Sequence, residues 1–277
     1  MSRFNWRKTK EMLFIGTIAS LTLLTILPLL HIIYTVIVMG LPVIVKTGTV
    51  FFTGTLSEGG IGPAIMGTFI LTFLASLIGL PVAFLVGVYA YEYPDSKIGK
   101  ATHMLLQIML EFPTILVGVF VMEILAIPMG TYSALAGAFA LSIIMMPYVA
   151  VYTKESMRQI PFTYREAAFS LGVSRTKALF RILVPVSKRG ILTGVLIGMA
   201  KVAGETAPLL FTAGGLYEMY PQGLDKPVGA IPLLIYTLIQ SPSESAHAVA
   251  WGAALVLLLI FLAVFIPIRM SLKEVKL

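Results

Sequence analysis

Six long apolar runs constrain this chain more than any other feature. They fall at residues 12–39, 63–91, 101–127, 132–153, 190–211 and 246–268. Each is long enough for a helix to cross a bilayer core, which takes about 20 residues at about 1.5 Å per residue. Backbone N–H and C=O groups in lipid have no water to bond, so each run must satisfy them within itself. The expectation is an all-α polytopic membrane protein with six transmembrane helices. Pro128, Met129 and Gly130 separate the third run from the fourth. Of the 277 residues, 58% are hydrophobic and 12% charged, against about half and about a quarter in soluble domains. That balance argues against a soluble enzyme, a nucleic-acid-binding domain or a disordered regulator. The first run follows a basic segment, but it is too long for a signal peptide and no small-residue cleavage site follows it. It reads as the first span.

The net charge of +7 has a topological explanation. Seventeen of the 20 Lys and Arg residues sit in the N-terminus (Arg3, Arg7, Lys8, Lys10), the loops after spans two and four, and the C-terminal tail (Arg269, Lys273, Lys276). The opposite side carries Lys46 and Lys226, and Lys201 lies within the fifth run. Basic loops stay in the cytoplasm, so both termini are expected there, on a multi-pass protein of the cell membrane. The chain reads as one permease domain, 1–277. It has no cysteine, hence no disulfide or thiolate metal site. His31, His103 and His247 are scattered, and no cofactor is expected. Gly99-Lys100-Ala101 lacks the upstream glycine and the hydroxyl of a phosphate-binding loop. No Gly-x-Ser-x-Gly or His-Glu-x-x-His run is present. A non-catalytic subunit that draws its energy from a partner is the expectation.

Three inter-span segments are more than turns. Residues 40–62 form an outer loop rich in Gly and Thr. The outer stretch 212–245 contains Ile231, Leu234, Ile235, Leu238 and Ile239 at helical spacing, bracketed by Pro232 and Pro242. It predicts a helix too short to span. The third, 154–189, lies on the basic side and is far longer than an ordinary helix connection. In it, Thr163 and Glu166 have capping-box spacing, and Gly172 suits the left-handed residue after a helix. Ser174 can cap a second helix running toward Pro185.

The order Glu166-Ala167-Ala168, Gly172, Ile182-Leu183-Val184-Pro185 resembles the EAA loop of binding-protein-dependent ABC importer permeases, with Val184 where that pattern has Leu. The resemblance implies a short coupling helix that docks on a separate ATPase. Ala167 and Ala168 would permit close approach, Tyr164 and Leu171 would add apolar contact, and Glu166 would cap or meet a basic partner. A second run, Gly204-Glu205-Thr206-Ala207-Pro208-Leu209-Leu210-Phe211-Thr212-Ala213-Gly214, is similar to the A-type (PstA-like) permeases of phosphate importers. Residues 57–68, Ala230-Ile231-Pro232 and His247-Ala248-Val249-Ala250-Trp251 extend that likeness. It implies a second, C-type permease, two ATP-binding subunits and an extracytoplasmic phosphate-binding protein as partners. A permease for sulfate or molybdate is one alternative. A membrane enzyme or transporter that needs no ATPase is another.

Charged side chains at mid-bilayer cost about 2.5–3.5 kcal/mol each on insertion scales. Lys201 and Glu205 are four residues apart, so they share a helix face and can neutralise each other. They read either as a structural pair or as a pathway gate, with Thr206 beside them and Pro208 expected to end or kink the span. Glu111 is expected to find a buried partner, and Glu123 to reach water near the outer end. His31 and His103 lie near span ends and are not site candidates.

Overall fold

The computed structural model describes residues 2–271, omitting the side chains of residues 2–5, 268, 269 and 271. The basic side chains of Arg3, Arg269, Lys273 and Lys276 therefore lie outside the described residues. In chain order the helices are α1 (Ser2–Thr47), α2 (Val50–Thr53), α3 (Gly62–Glu92), α4 (Lys97–Glu111), α5 (Thr114–Val121), α6 (Ile127–Met129), α7 (Ala134–Arg158), α8 (Thr163–Ser170), α9 (Arg175–Ala178), α10 (Val184–Ala203), α11 (Leu209–Thr212), α12 (Ile231–Ile239) and α13 (Glu244–Ser271). One isolated bridge, Gly214 to Val228, is the β pairing among the described residues.

Five of these helical stretches are long and apolar enough to cross a membrane unbroken: Trp6–Thr47, Gly62–Glu92, Ala134–Arg158, Arg175–Ala203 and Glu244–Pro267. The expected third span differs. It is a pair, α4 and the stretch Thr114–Met129, bent by 99°. The cause is local. Pro113 has no N–H, and its ring pushes Phe112 out of the helical region to ψ 131°. Counted as one broken span, the pair makes six. Glu111 sits exposed at this break, without the buried partner expected for it, and Glu123 is exposed as well.

The expected fifth span also differs. Pro185 does not end the helix that Ser174 starts. A π turn at Leu179–Leu183 absorbs the missing proline donor, and the helix runs from Arg175 to Ala203. The span then stops at Gly204, a full turn before the expected break at Pro208. The first helix runs longer than expected, so the outer loop begins at Gly48 rather than Gly40.

α7 is the central element, buried at Ala134, Ala136, Ala138, Ala140, Leu141, Met145, Val149 and Ala150. It packs between α3 and α10. Small residues bring the backbones close: a Cβ on Gly87 of α3 would stand 2.5 Å from the Ala150 carbonyl oxygen. A second cluster around Phe51, Ile231, Leu234, Ala253 and Val256 joins α12 and α13 to α2. The predicted short outer helix is present at Ile231–Ile239. A third cluster, Val88, Met157, Leu179 and Leu183, sits at the opposite end, where Tyr91 and Tyr164 cover it. α1 leans on α13 near Gly40, and its apolar side chains from Met12 to Leu30 are exposed.

Candidate functional site

Two helix breaks meet where α10 ends and α5 begins. α10 ends at Ala203, and Gly204 turns the chain at φ −99°, ψ 0°. Glu205 follows, bonding its N–H to Val202 O at 3.2 Å. Its carboxylate is 8% exposed and pairs with Lys201 Nζ at 2.6 Å. The other carboxylate oxygen accepts from Thr114 Oγ1 at 3.2 Å. Thr114 opens α5, immediately after the Pro113 break. Lys201 and Glu205 therefore touch, and through Thr114 the pair also ties the two broken segments together. The Lys201 side chain is 40% exposed, so the pair is more open on the lysine side than on the carboxylate side.

The neighbouring candidates take different places. Pro208 is buried and starts α11 rather than ending the span. Its carbonyl accepts from Thr212 Oγ1 at 2.8 Å. The Thr206 carbonyl accepts from Leu209 N at 3.1 Å, and its hydroxyl takes no part in the charged pair. Thr114 was not legible beforehand. Its one signal is its position beside Pro113.

At the end of the bundle that carries the third cluster, α8 lies over it. The expected capping box is absent. Phe162 already has helical angles, φ −59° and ψ −25°, which makes Thr163 the first helical residue rather than the cap, and no side-chain cap bond forms. Gly172 does adopt the left-handed form, φ +72°. Its N–H bonds Phe169 O at 2.9 Å and the Val173 N–H bonds Ala168 O at 3.0 Å, a Schellman closure. Ala168 is buried and Tyr164 half-buried, so both face the chain's own core. Glu166 and Ala167 are exposed, as are Phe162, Phe169 and Leu171, the last at 83%. Ser174 occupies the cap position of α9, but its hydroxyl makes no cap bond.

One residue of this end escaped the sequence reading. Glu92, the last residue of α3, is buried and accepts hydrogen bonds from Arg165 of α8 and Arg175 of α9. The available signal was a carboxylate at a span end on the side where basic residues dominate. His103, set aside earlier, places Nδ1 3.1 Å from Lys154 Nζ.

Residues 79–275 match the family described as binding-protein-dependent transport system inner membrane component. A protein from Methanocaldococcus jannaschii named as a probable phosphate transport system permease protein PstA is 65% identical over 268 residues, 97% of this chain and 95% of the relative. The phosphate transport system permease protein PstA of Haemophilus influenzae is 33% identical over 276 residues, 99% of this chain and 98% of the relative. A solved structure of the MetNI methionine ABC transporter, described as inward facing, superposes with a TM-score of 0.57 at 20% identity, over 78% of this chain and 95% of that one. That last likeness is one of fold. A multi-pass helical bundle, a pair of joined helix breaks and these relatives agree: the chain belongs to the inner membrane component family of binding-protein-dependent transport systems, among its PstA permeases.

Proposed function

We propose that this chain is the A-type transmembrane subunit of an ATP-driven importer of inorganic phosphate. The observation that carries the reading is the 65% identity to a relative named as a probable phosphate permease, sustained over 97% of this chain. In this reading the chain is one permease domain, 1–277, with both termini and the basic loops in the cytoplasm. It lines the path together with a C-type permease. Two ATP-binding subunits dock from inside, and a phosphate-binding protein delivers substrate from outside. The chain itself performs no catalysis.

Lys201 and Glu205 act at the gate, with Thr206 and Pro208 shaping the break beside them. An oxyanion needs hydrogen-bond donors, and a lysine ammonium has three. One is committed to Glu205 at 2.6 Å. Glu205 keeps the empty path locally neutral, which lowers the cost of holding a charge in the membrane. The same carboxylate repels an anion until Lys201 swings away from it. Thr114 gives the carboxylate a second hold when that happens.

α8 is the docking element. Its outward residues Glu166, Ala167 and Leu171 meet the ATPase, Gly172 sets the exit of the chain, and Tyr164 and Ala168 seat the helix on the bundle. ATP-driven closure of the ATPase pair then moves α8, and each transport state must gain contacts that the other lacks.

The test is radiolabelled phosphate uptake in vesicles containing this chain with its permease partner, ATPase and binding protein, with sulfate and molybdate as competitors. ATP-dependent uptake indifferent to both competitors is the expected result. Uptake of another oxyanion would remove the substrate assignment, and uptake without ATPase would remove the architecture.

A further inference from the structure

Glu92 closes α3 with a carboxylate that two segments of the coupling loop grip at once. Its side chain is 3% exposed. Arg165 Nη2 donates to one oxygen and Arg175 Nε to the other. Arg175 Nη2 also donates to the Glu92 main-chain oxygen at 3.0 Å. The flanking rings complete the grip: the Arg165 guanidinium carbon lies 5.5 Å from the Tyr91 centroid, and that of Arg175 4.7 Å from the Tyr93 centroid. Each oxygen serves a different guanidinium. The carboxylate is therefore a bridge between α8 and α9, not a fork closed on one arginine.

A carboxylate this far from water is tolerable only when paired and hydrogen-bonded. Apolar seating by Tyr164 and Ala168 is non-directional and lets a short helix slide. Charge-assisted hydrogen bonds are directional and hold position. From Glu92, α3 runs back along α7, the most buried helix of the bundle. Near its other end Thr68 of α3 accepts from Ile231 N of α12 at 2.9 Å. A displacement received at Glu92 thus has a packed route to the outer end.

We propose that Glu92 is the joint that makes the coupling loop and α3 move as one body when the ATPase pushes on α8. It is a positioning residue, acting through Arg165 and Arg175. The inference rests on the docking role proposed for α8 and adds the residue that transmits the push.

The chain contains no cysteine, so two introduced thiols are its only labelling sites once the partner subunits are freed of reactive cysteines. Thr163→Cys at the start of α8 and Asp95→Cys just beyond α3 are both exposed. Spin labels on this pair, in the assembled transporter with its ATPase, permease partner and binding protein, report the distance between the two elements with and without ATP. In the parent protein one narrow distribution is expected to persist on ATP binding. With Glu92→Gln it broadens or shifts on ATP, while substrate-stimulated ATP hydrolysis and phosphate uptake fall about tenfold or more. Basal hydrolysis and ATPase co-purification stay at the parent level. Glu92→Asp, which keeps the charge, recovers part of the coupling. Arg165→Gln cuts only the α8 arm and leaves Glu92 paired with Arg175, so it carries the same test if Glu92→Gln fails to accumulate. A variant that inserts, transports at the parent rate and keeps the narrow distribution overturns the joint. A parent protein that does not retain the ATPase overturns the docking reading instead, and the joint with it.

Discussion

Gly118 and Pro208 meet backbone to backbone. A Cβ placed on Gly118 would stand 2.6 Å from Pro208 Cα and 2.9 Å from its carbonyl oxygen. This contact joins the two helix breaks, because α5 starts just after Pro113 and Pro208 lies four residues past Gly204. Neither neighbour can yield, since both atoms are main chain. Gly118→Ala is expected to destabilise the protein by about 1–3 kcal/mol through overpacking. Thermal inactivation of the purified assembly checks this. A melting temperature equal to that of the parent would show that the two breaks can separate freely.

The two halves of the Lys201–Glu205 pair are not equivalent. Glu205 is 8% exposed and Lys201 40%. Lys201→Met leaves a buried carboxylate on Thr114 alone, at an expected cost of about 2–3 kcal/mol. Glu205→Gln leaves an ammonium on a flexible, half-exposed stem that can snorkel toward a polar surface, at a smaller cost. Both variants should lose phosphate uptake, while Lys201→Arg should keep it. Equal destabilisation by the two charge-removing variants, read by thermal unfolding, would contradict the asymmetry.

Gly172 holds φ +72° with open space around its Cβ position. Gly172→Ala therefore meets no clash but pays backbone strain of about 1–2 kcal/mol. The strain falls on the turn that presents Leu171. Gly172→Ala should weaken ATPase co-purification, and Leu171→Asp should abolish it, with membrane insertion unaffected in both. Undiminished co-purification with Leu171→Asp would remove this face from the docking surface.

Thr68 is buried, donates to Ala64 O at 2.8 Å and accepts from Ile231 N at 2.9 Å. Thr68→Val keeps the shape but leaves the Ile231 N–H buried without a partner, at about 1–3 kcal/mol. Amide hydrogen exchange at the start of α12 should speed up by about fivefold to a hundredfold, since 1.4 kcal/mol corresponds to a factor of ten. Unchanged protection at Ile231 would show that another group takes over.

Local patterns that depend on periodicity or backbone chemistry were legible in advance. The short helix between the last two spans appears at Ile231–Ile239 and the left-handed turn at Gly172. The errors sit at breaks and starts. The helix expected to run toward Pro185 continues through it past a π turn. Thr163 had the spacing of a cap, but Phe162 was already helical. Pro113 looked compatible with one span and instead bends it by 99°.

The sequence by itself determined that this is a membrane-spanning helical protein, and roughly where each span lies. The physical reason is that lipid offers the backbone no hydrogen bonds, so apolar length translates directly into helix. Its motifs likewise sufficed to place it in a permease family. Tertiary structure alone decided the partners of its buried charges. Thr114 meets Glu205 from 91 residues away, and Arg165 and Arg175 meet Glu92 from 73 and 83 residues away. A charge removed from water must find a counter-charge or a donor, but nothing in that requirement specifies where along the chain the partner lies. Helix packing supplies it.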